Sequence, residues 1–264
     1  MEINGKTKVI VHLAFPSTHL RTPSFFNPLM EEQRRNAVLV PWQVSPENLP
    51  QVWEALRISE SVAGVIVTIP HKTSVAGLCD QLEGAAKFLN VANVAKKTND
   101  GQFIGRMYDG PGYLQGLKSQ GHEMRGRSVL LLGAGGAATG IAHSMVEEGV
   151  ARLTIANRTR AKAKALANAL NEEFLTDVVS VGEAVGGDHD VIINATSVGL
   201  NESDPLPIDP ETIRSDALVG EVIMQPDITP LLSASAARGC QIHKGKFMIL
   251  GQTQLLADFL LGPI

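Results

Sequence analysis

Cysteine is scarce in this sequence, and a long apolar run is missing. Only Cys79 and Cys240 occur in 264 residues. Two thiols so far apart do not make a disulfide framework, so we expect a reducing, cytoplasmic environment in which both are buried as small hydrophobic groups. No apolar run reaches membrane-spanning length, and the N-terminus lacks the apolar core of a secretory signal. We therefore expect no membrane partner.

A block of like charges and a metal-binding pattern are missing too. The net charge is -4 with no long run of one sign, which argues against nucleic acid and anionic membranes as partners. The histidines are scattered without metal-ligand spacing, so no metal site is expected. A hydrophobic content of 44% allows a sizeable core, and the length suits one large or two modest domains.

Strand and helix patterns alternate along the chain, which predicts an α/β fold built on parallel sheets. Ligands of such sheets bind beyond the carboxyl ends of the strands. Predicted strands cover 8–13, 37–44, 64–68, 101–104, 129–132, 151–156, 178–181, 190–194, 218–224 and 241–243. Predicted helices cover 26–35, 46–59, 113–120, 139–149, 161–170, 230–238 and 247–261.

A glycine-rich turn follows the strand at 129–132. Gly133 suits a tight turn, Gly135 allows close approach of the backbone to a pyrophosphate, and Ala138 allows close packing of helix on strand. The following helix N-terminus offers N–H groups to phosphates. In this strand–turn–helix context the pattern predicts dinucleotide binding. The alternative is a tight turn without a ligand.

The next strand ends in Asn157, Arg158, Thr159 and Arg160. An NAD site usually places an acid there for the ribose hydroxyls, and none is present. Arginine recognises phosphate through planar, paired hydrogen bonds, so we expect NADP, with NAD as the alternative. Two solvated arginines at a helix start would look the same in sequence.

Lys72 is the first catalytic candidate, because it follows the 64–68 strand at a predicted ligand-binding edge. A lysine there can act as a general base or hold a substrate hydroxyl as a donor. His71 beside it is expected to be structural. Asp109 precedes a predicted helix, and on spacing alone an N-cap role is the simpler interpretation.

Seven segments, in order, resemble motifs of the shikimate/quinate dehydrogenase family. They are Val67-Thr68-Ile69-Pro70-His71-Lys72, Ala92-Asn93, Asp109-Gly110-Pro111-Gly112, Gly133-Ala134-Gly135-Gly136-Ala137-Ala138, Asn157-Arg158-Thr159, Asn194-Ala195-Thr196-Ser197-Val198-Gly199 and the stretch from Gly245 to Gln252.

The resemblance implies a role for each matching position. Lys72 and Asp109 would be the catalytic pair. The implied substrate-binding residues are Thr22, Thr68, Asn93 and Gln252. The implied cofactor-binding residues are Gly133, Ala134, Gly135, Gly136, Ala137, Asn157, Arg158, Thr159, Thr196, Met224 and Gly245.

The chain departs from the family where the substrate is bound. The family has two serines in an H-S-x-S-P loop, whereas His19-Leu20-Arg21-Thr22-Pro23 keeps a hydroxyl only at Thr22. Ile66 replaces an asparagine, Met107 and Tyr108 replace Asn-Thr, and Met224 replaces a tyrosine. A hydrogen-bonding site with different partners discriminates differently among substrates.

The resemblance implies two domains with a cleft between them. Residues 1–106, completed by a C-terminal helix at 246–264, would bind substrate, and residues 107–245 would form a Rossmann-like domain. The expected reaction moves hydride between nicotinamide and a ring hydroxyl of the 3-dehydroshikimate/shikimate type. Oligomeric state is left open between monomer and homodimer.

Three alternatives stay open. One is the same chemistry on another cyclic polyol or an aminoshikimate-type compound. The second is a non-catalytic dinucleotide-binding regulator. The third is an unrelated Rossmann dehydrogenase.

Overall fold

The computed structural model of the chain describes residues 2–18, 20–201 and 203–264. Its internal contacts divide the chain into two units. Unit 1 comprises Met1–Tyr108 and Gln252–Ile264, and unit 2 comprises Asp109–Gly251.

Unit 1 contains a mixed sheet with strand order β2-β1-β3-β5-β6-β4. Its strands are β1 Lys8–Ala14, β2 Ala37–Gln43, β3 Val62–Val67, β4 Gln81–Leu82, β5 Val94–Lys97 and β6 Phe103–Arg106; its helices are α1 Pro23–Glu32, α2 Leu49–Ile58, α3 Lys72–Leu78 and α4 Ala85–Leu89, with the last turns of α9 Lys246–Leu261.

The predicted parallel sheet is only partly parallel in unit 1. β1 pairs in parallel with β2 and β3, but β5 pairs antiparallel with both β3 and β6. The connection from β5 to β6 is too short for a parallel crossover, and Thr98 N–H donates to Gln102 O at 2.9 Å within it. A tight hairpin therefore forces the antiparallel pairing.

Apolar side chains cover both faces of this sheet. One cluster centres on Trp53 and Phe103, whose ring centroids lie 4.3 Å apart. The other joins Phe26, Ile66 and Leu256 from α1, β3 and α9. The C-terminal helical turns thus complete the core of unit 1.

Unit 2 contains a sheet with strand order β12-β11-β10-β7-β8-β9, paired in parallel throughout, as predicted. Its strands are β7 Ser128–Leu132, β8 Arg152–Ala156, β9 Val179–Val181, β10 Val191–Asn194, β11 Leu218–Glu221 and β12 Gln241–His243; its helices are α5 Asp109–Ser119, α6 Gly136–Glu148, α7 Arg160–Glu173, α8 Pro230–Ala237 and the first turns of α9.

Several predicted boundaries need correction. The predicted 26–35 helix starts earlier, with Pro23 in its first turn, and ends before Arg34, whose φ is 54°. The start of the predicted 46–59 helix is a 3-10 turn at Pro46–Asn48. The strand predicted at 218–224 stops at Glu221.

Membrane-spanning helices and metal-binding clusters are both absent from the described part of the chain. No helix there is long and apolar enough to cross a membrane. No group of three or more His, Cys, Asp or Glu side chains there could hold a metal ion. Cys79 and Cys240 are free thiols, as expected; Cys240 is buried as predicted, whereas Cys79 is only half-buried.

Candidate active site and dinucleotide site

The turn after β7 has the geometry that its sequence predicts. Gly133 has a φ of +113°, a conformation that L side chains rarely adopt. Its N–H donates to Ala156 O at 2.8 Å, and a Cβ on it would lie 3.0 Å from Ala195 O. Ala138 is fully buried where α6 packs on the sheet. Turn and packing together therefore require these small residues.

Gly135 and Gly136 are exposed at the start of α6, with the half-buried Ala134 and Ala137 on either side. A Cβ on Gly135 or Gly136 would meet no described atom within 4 Å. Internal packing does not explain these two glycines. A side chain there would instead project into the space before the helix N-terminus, where a pyrophosphate would bind. The loop thus fits a dinucleotide.

A cavity of about 520 Å³ lies at the carboxyl edge of the unit 2 sheet, and its lining includes Asn157, Arg158, Arg160 and Thr196. Arg160 donates to Glu183 at 2.7 Å, so its charge is already matched. Within residues 2–18, 20–201 and 203–264, Arg158 has no carboxylate partner. Arg158 is therefore the cation best placed to bind a ligand phosphate.

The remaining cofactor-site candidates border the same sheet edge. Thr159 precedes α7, and its side chain does not cap the helix. Thr196 donates through Oγ1 to Asn194 Oδ1 at 2.7 Å. Gly245 packs against Ile223 O so closely that a Cβ would collide with it, and Met224 is half-buried beside Ile223.

Lys72 is the first residue of α3 in unit 1 and is half-buried. Its carbonyl accepts the Ala92 N–H at 3.1 Å, which ties α3 to the segment before Asn93. Thr68, half-buried at the end of β3, donates its N–H to Leu13 O at 3.1 Å. The structure therefore brings the 68–72 segment and the 92–93 segment together.

Asn93 is 3% exposed, and both its backbone and its side chain are hydrogen-bonded. Val67 N–H donates to its carbonyl at 2.7 Å, its own N–H donates to Arg106 O at 3.0 Å, and its Oδ1 accepts the Tyr108 N–H at 2.8 Å. Asn93 is therefore fixed in position at the edge where Lys72 lies.

The N-cap interpretation of Asp109 is wrong, because Asp109 lies inside the first turn of α5 and is 3% exposed. Asp109 opens unit 2, whereas Lys72 belongs to unit 1. Gln252, which is 9% exposed on α9, belongs to unit 1 as well. His71 is structural as expected: it is 1% exposed, and its Nε2 lies 2.7 Å from Val44 O.

The loop before α1 places Thr22 at the start of that helix. Thr22 is half-buried at the N-cap, and its side chain makes no cap hydrogen bond. Leu20 is half-buried nearby in sequence. His19 lies outside the described residues.

Two of the substituted positions in unit 1, Ile66 and Tyr108, belong to one apolar and aromatic cluster. Ile66 is 4% exposed within the core that contains Phe26, and Tyr108 packs edge-on to Phe259 with ring centroids 5.9 Å apart. Arg106 lies 4.6 Å above the Phe259 ring and donates to the Tyr108 hydroxyl at 3.0 Å. Sequence reasoning missed the Arg106–Phe259 contact, because it joins residues from distant parts of the chain.

The parallel sheet, the glycine turn after β7 and the position of Arg158 give unit 2 the features of a dinucleotide-binding α/β domain. Two family models match the chain. Residues 13–95 match the shikimate dehydrogenase substrate binding domain, and residues 116–201 match shikimate / quinate 5-dehydrogenase. The chain belongs to the shikimate/quinate dehydrogenase family.

Individual proteins that are similar to this chain support the same family membership. The shikimate dehydrogenase (NADP(+)) of Aquifex aeolicus is 34% identical over 95% of this chain and 90% of its own length. A solved shikimate dehydrogenase in complex with NADP+ is 30% identical, with a TM-score of 0.92 over 99% of this chain and 92% of that one. A ligand-free 5-ketofructose reductase of Gluconobacter sp. strain CHM43 is 26% identical, with a TM-score of 0.89 over 98% and 95%.

Proposed function

We propose that this chain is an NADP-dependent oxidoreductase that interconverts a ring hydroxyl and a ketone on a shikimate- or quinate-like substrate. The observation that carries the proposal is the retention of Lys72 and Asp109 within the family motifs, together with a glycine loop that fits a dinucleotide. Relatives named as NADP-dependent shikimate dehydrogenases support it.

Unit 2 supplies the cofactor-binding part of the proposal. The glycine loop and the first turn of α6 would hold the pyrophosphate, with Thr196 and Gly245 bordering the same sheet edge. Asn157, Arg158 and Thr159 would hold the adenosine ribose and its phosphate. When bound, the nicotinamide ring supplies the hydride acceptor or donor. The absence of an acid after β8 favours NADP, and NAD remains the alternative.

Unit 1 supplies the substrate-binding part. Thr22, Thr68, Asn93 and Gln252 would orient the ring by hydrogen bonds. In the oxidation direction, Lys72 with Asp109 would take the hydroxyl proton while the carbinol hydrogen leaves as hydride, so that a ketone forms. In reduction the same pair would return the proton to the new alkoxide.

A second candidate is the same chemistry on a polyol or hydroxyketone that lacks a carboxylate. Leu20, Ile66 and Tyr108 stand where the family has polar side chains. The side chains of Leu20 and Ile66 have no group that can hold a carboxylate. The likeness to a 5-ketofructose reductase, named for a substrate without a carboxylate, favours this candidate too. An aminoshikimate-type compound is a further possible substrate and would be assayed in the same way.

We propose further that residues 1–106 with 246–264 act as the substrate domain and 107–245 as the cofactor domain. The unit boundary after Tyr108 and before Gln252 supports that division in outline. A cytoplasmic location, supported by two free thiols, and a monomer or homodimer complete the proposal. Light scattering on the purified protein measures the oligomeric state.

The test is the rate of reduced-nicotinamide formation with shikimate and with quinate, each against NADP+ and NAD+. We expect turnover with NADP+ preferred. Lys72→Ala should lower kcat by about 10²- to 10⁴-fold, the usual contribution of a general acid–base group. Lys87→Ala, an exposed lysine on α4 of the same unit, is the matched control and should not change the rate.

Three other outcomes separate the candidates. NADP+ binding without turnover of either acid, but with turnover of a carboxylate-free polyol, selects the second candidate. Binding without any turnover supports a non-catalytic regulator. Undiminished turnover by Lys72→Ala would contradict the assigned chemistry.

A further inference from the structure

Glu221 is a buried carboxyl that the proposed function leaves without a role. It is the last residue of β11, at the carboxyl edge of the unit 2 sheet, and it is 0% exposed. A buried carboxyl destabilises a fold unless hydrogen bonds compensate for the lost water. Its hydrogen bonds therefore show what it does.

One carboxyl oxygen of Glu221 joins two separate segments. Oε1 accepts a hydrogen bond from Asn194 Nδ2 at 3.0 Å and another from Thr229 Oγ1 at 2.9 Å. Asn194 and Thr229 are both 0% exposed. The two donors come from the end of β10 and the start of α8, so Glu221 links neighbouring strand-end loops.

Asn194 in turn forms hydrogen bonds with the loop that lines the cavity. Its Oδ1 accepts from Thr196 N at 3.1 Å and from Thr196 Oγ1 at 2.7 Å, while its Nδ2 also donates to Val198 O at 3.0 Å. Thr196 and Val198 both line the 520 Å³ cavity. Fixing the Asn194 amide therefore fixes the wall of the proposed dinucleotide site.

Thr229 connects Glu221 to the second segment, residues 222–229, and to helix α8. Its Oγ1 accepts from Leu232 N at 3.2 Å and so caps α8. Since the hydroxyl donates its single proton to Glu221, its orientation depends on that carboxyl. The segment that Thr229 anchors, residues 222–229, contains Met224.

Close packing joins both segments to the glycine loop and to Gly245. A Cβ on Gly199 would lie 3.5 Å from Ile223 Cδ1 and 3.8 Å from Thr229 Cβ, so the two segments meet there. Gly133 approaches Ala195 O, and Gly245 approaches Ile223 O. A continuous set of contacts thus runs from the glycine turn at Gly133 to Gly245, through the two segments that Glu221 links.

We propose that Glu221 is a positioning residue of the dinucleotide site, which holds loop 194–199 and segment 222–229 in one arrangement through Oε1. This inference rests on the proposed function of unit 2. Burial raises the pKa of Glu221, and the hydrogen bonds from Asn194 and Thr229 oppose that rise only in part. A neutral side chain with the same acceptor should therefore perform the same task.

The test compares Glu221→Ala, Glu221→Gln and Val219→Ala. Val219 is 0% exposed on the same strand and serves as the control for general loss of core packing. Isothermal titration with NADP+ measures the dissociation constant, thermal unfolding measures stability, and hydrogen exchange of the ligand-free protein measures opening of 195–198 and 223–229.

We expect Glu221→Ala to raise the NADP+ dissociation constant roughly tenfold, because it removes the shared acceptor of two buried donors. Exchange in both segments should accelerate together. Glu221→Gln, which keeps Oε1 as an acceptor, should bind within about threefold of the wild type. Val219→Ala should lower the unfolding temperature without changing the dissociation constant.

Equal NADP+ binding and equal segment exchange in Glu221→Ala and Val219→Ala would overturn the inference and leave Glu221 as part of the core. Should Glu221→Ala not fold, Thr229→Val removes one of the two bonds and should give an intermediate rise. If the wild type binds no dinucleotide, the proposed function fails, and the exchange data alone decide whether Glu221 couples the two segments.

Discussion

The two units differ in what builds their candidate sites. In unit 2 the backbone does most of it, through the turn at Gly133, the open approach at Gly135 and Gly136, and the first turn of α6. In unit 1 side chains do it, through Lys72 on α3 and the buried Asn93 beside it.

This difference explains how the chain can depart from its family motifs more in unit 1 than in unit 2, where Met224 stands in place of a tyrosine. A backbone-built phosphate site needs only a few small residues and tolerates change elsewhere. A site built from side chains changes its substrate specificity with each substitution, because every hydrogen-bond partner that the protein loses leaves a polar group of the substrate unpaired. Leu20 and Ile66 are substitutions of that kind.

The largest expected effect is on stability and concerns one buried histidine in each unit. His71 of unit 1 lies 2.7 Å from Val44 O, whereas His243 of unit 2 is 0% exposed and, among the described residues, neither ring nitrogen has a hydrogen-bond partner. Burial first, and the charge of His122 second, lower the pKa of His243 from 6.5 to about 4.

The sign of the effect follows from the pKa of His243 being lower in the folded state. Protons bind the unfolded chain more tightly, so the stability contribution is complete above pH 6.5 and is lost as pH falls towards 4. The loss should be about 3 kcal/mol in the free energy of unfolding. Urea unfolding across this pH window measures it, and His243→Leu should remove most of it. An unchanged pH dependence in that variant would assign the loss to other groups.

The next effect separates the two roles of glycine in the unit 2 loop. Gly135→Ala should leave the unfolding temperature unchanged, since a Cβ there meets no described atom within 4 Å. Its NADP+ affinity should fall roughly tenfold because the methyl group would keep the pyrophosphate away. Gly133→Ala should instead destabilise the fold by about 1–2 kcal/mol. Calorimetry and NADP+ titration distinguish the two, and reversed results would refute the backbone account.

A smaller effect concerns cofactor choice. Arg158→Ala should weaken NADP+ binding about tenfold and leave NAD+ binding almost unchanged, as expected for the loss of one phosphate-binding arginine. Arg160→Ala is the matched control, because Arg160 already pairs with Glu183 at 2.7 Å. Titration of both variants with both cofactors gives the ratio. Equal losses for the two variants would mean that Arg158 does not read the phosphate.

The smallest effect tests the altered substrate loop of unit 1. Leu20→Ser adds back a hydroxyl and should raise kcat/KM for shikimate two- to tenfold, the range of one hydrogen bond. Leu206→Ser, at an exposed position in unit 2, is the control. No gain for Leu20→Ser would show that position 20 does not reach the substrate, and a gain in the control would point to solubility.

The sequence was sufficient for the cofactor end of unit 2, because a strand, a glycine turn and a helix lie within a single stretch. Local patterns predicted strand direction and helix starts less well. The antiparallel pairing of β5 depends on the hairpin at 98–102, and α1 starts at Pro23 rather than at the predicted Phe26. An N-cap for Asp109 was the simplest local interpretation, and the helix itself begins one position earlier than that interpretation needs.

The Glu221 network shows the same limit most clearly. Its two partners lie 27 and 8 residues away, and only the parallel register of β10 with β11 places Asn194 opposite Glu221. A lone acid at the end of an apolar strand was the available signal. Arg106 and Phe259 likewise meet only in the folded unit.

The most direct test of the account follows the transferred hydrogen itself. Shikimate carrying deuterium at the carbinol carbon is incubated with the protein and NADP+, and the reduced cofactor is analysed by mass spectrometry. The account predicts that deuterium enters NADPH and that Lys72→Ala abolishes the transfer. Bound NADP+ that acquires no deuterium from shikimate, quinate or a carboxylate-free polyol would contradict it.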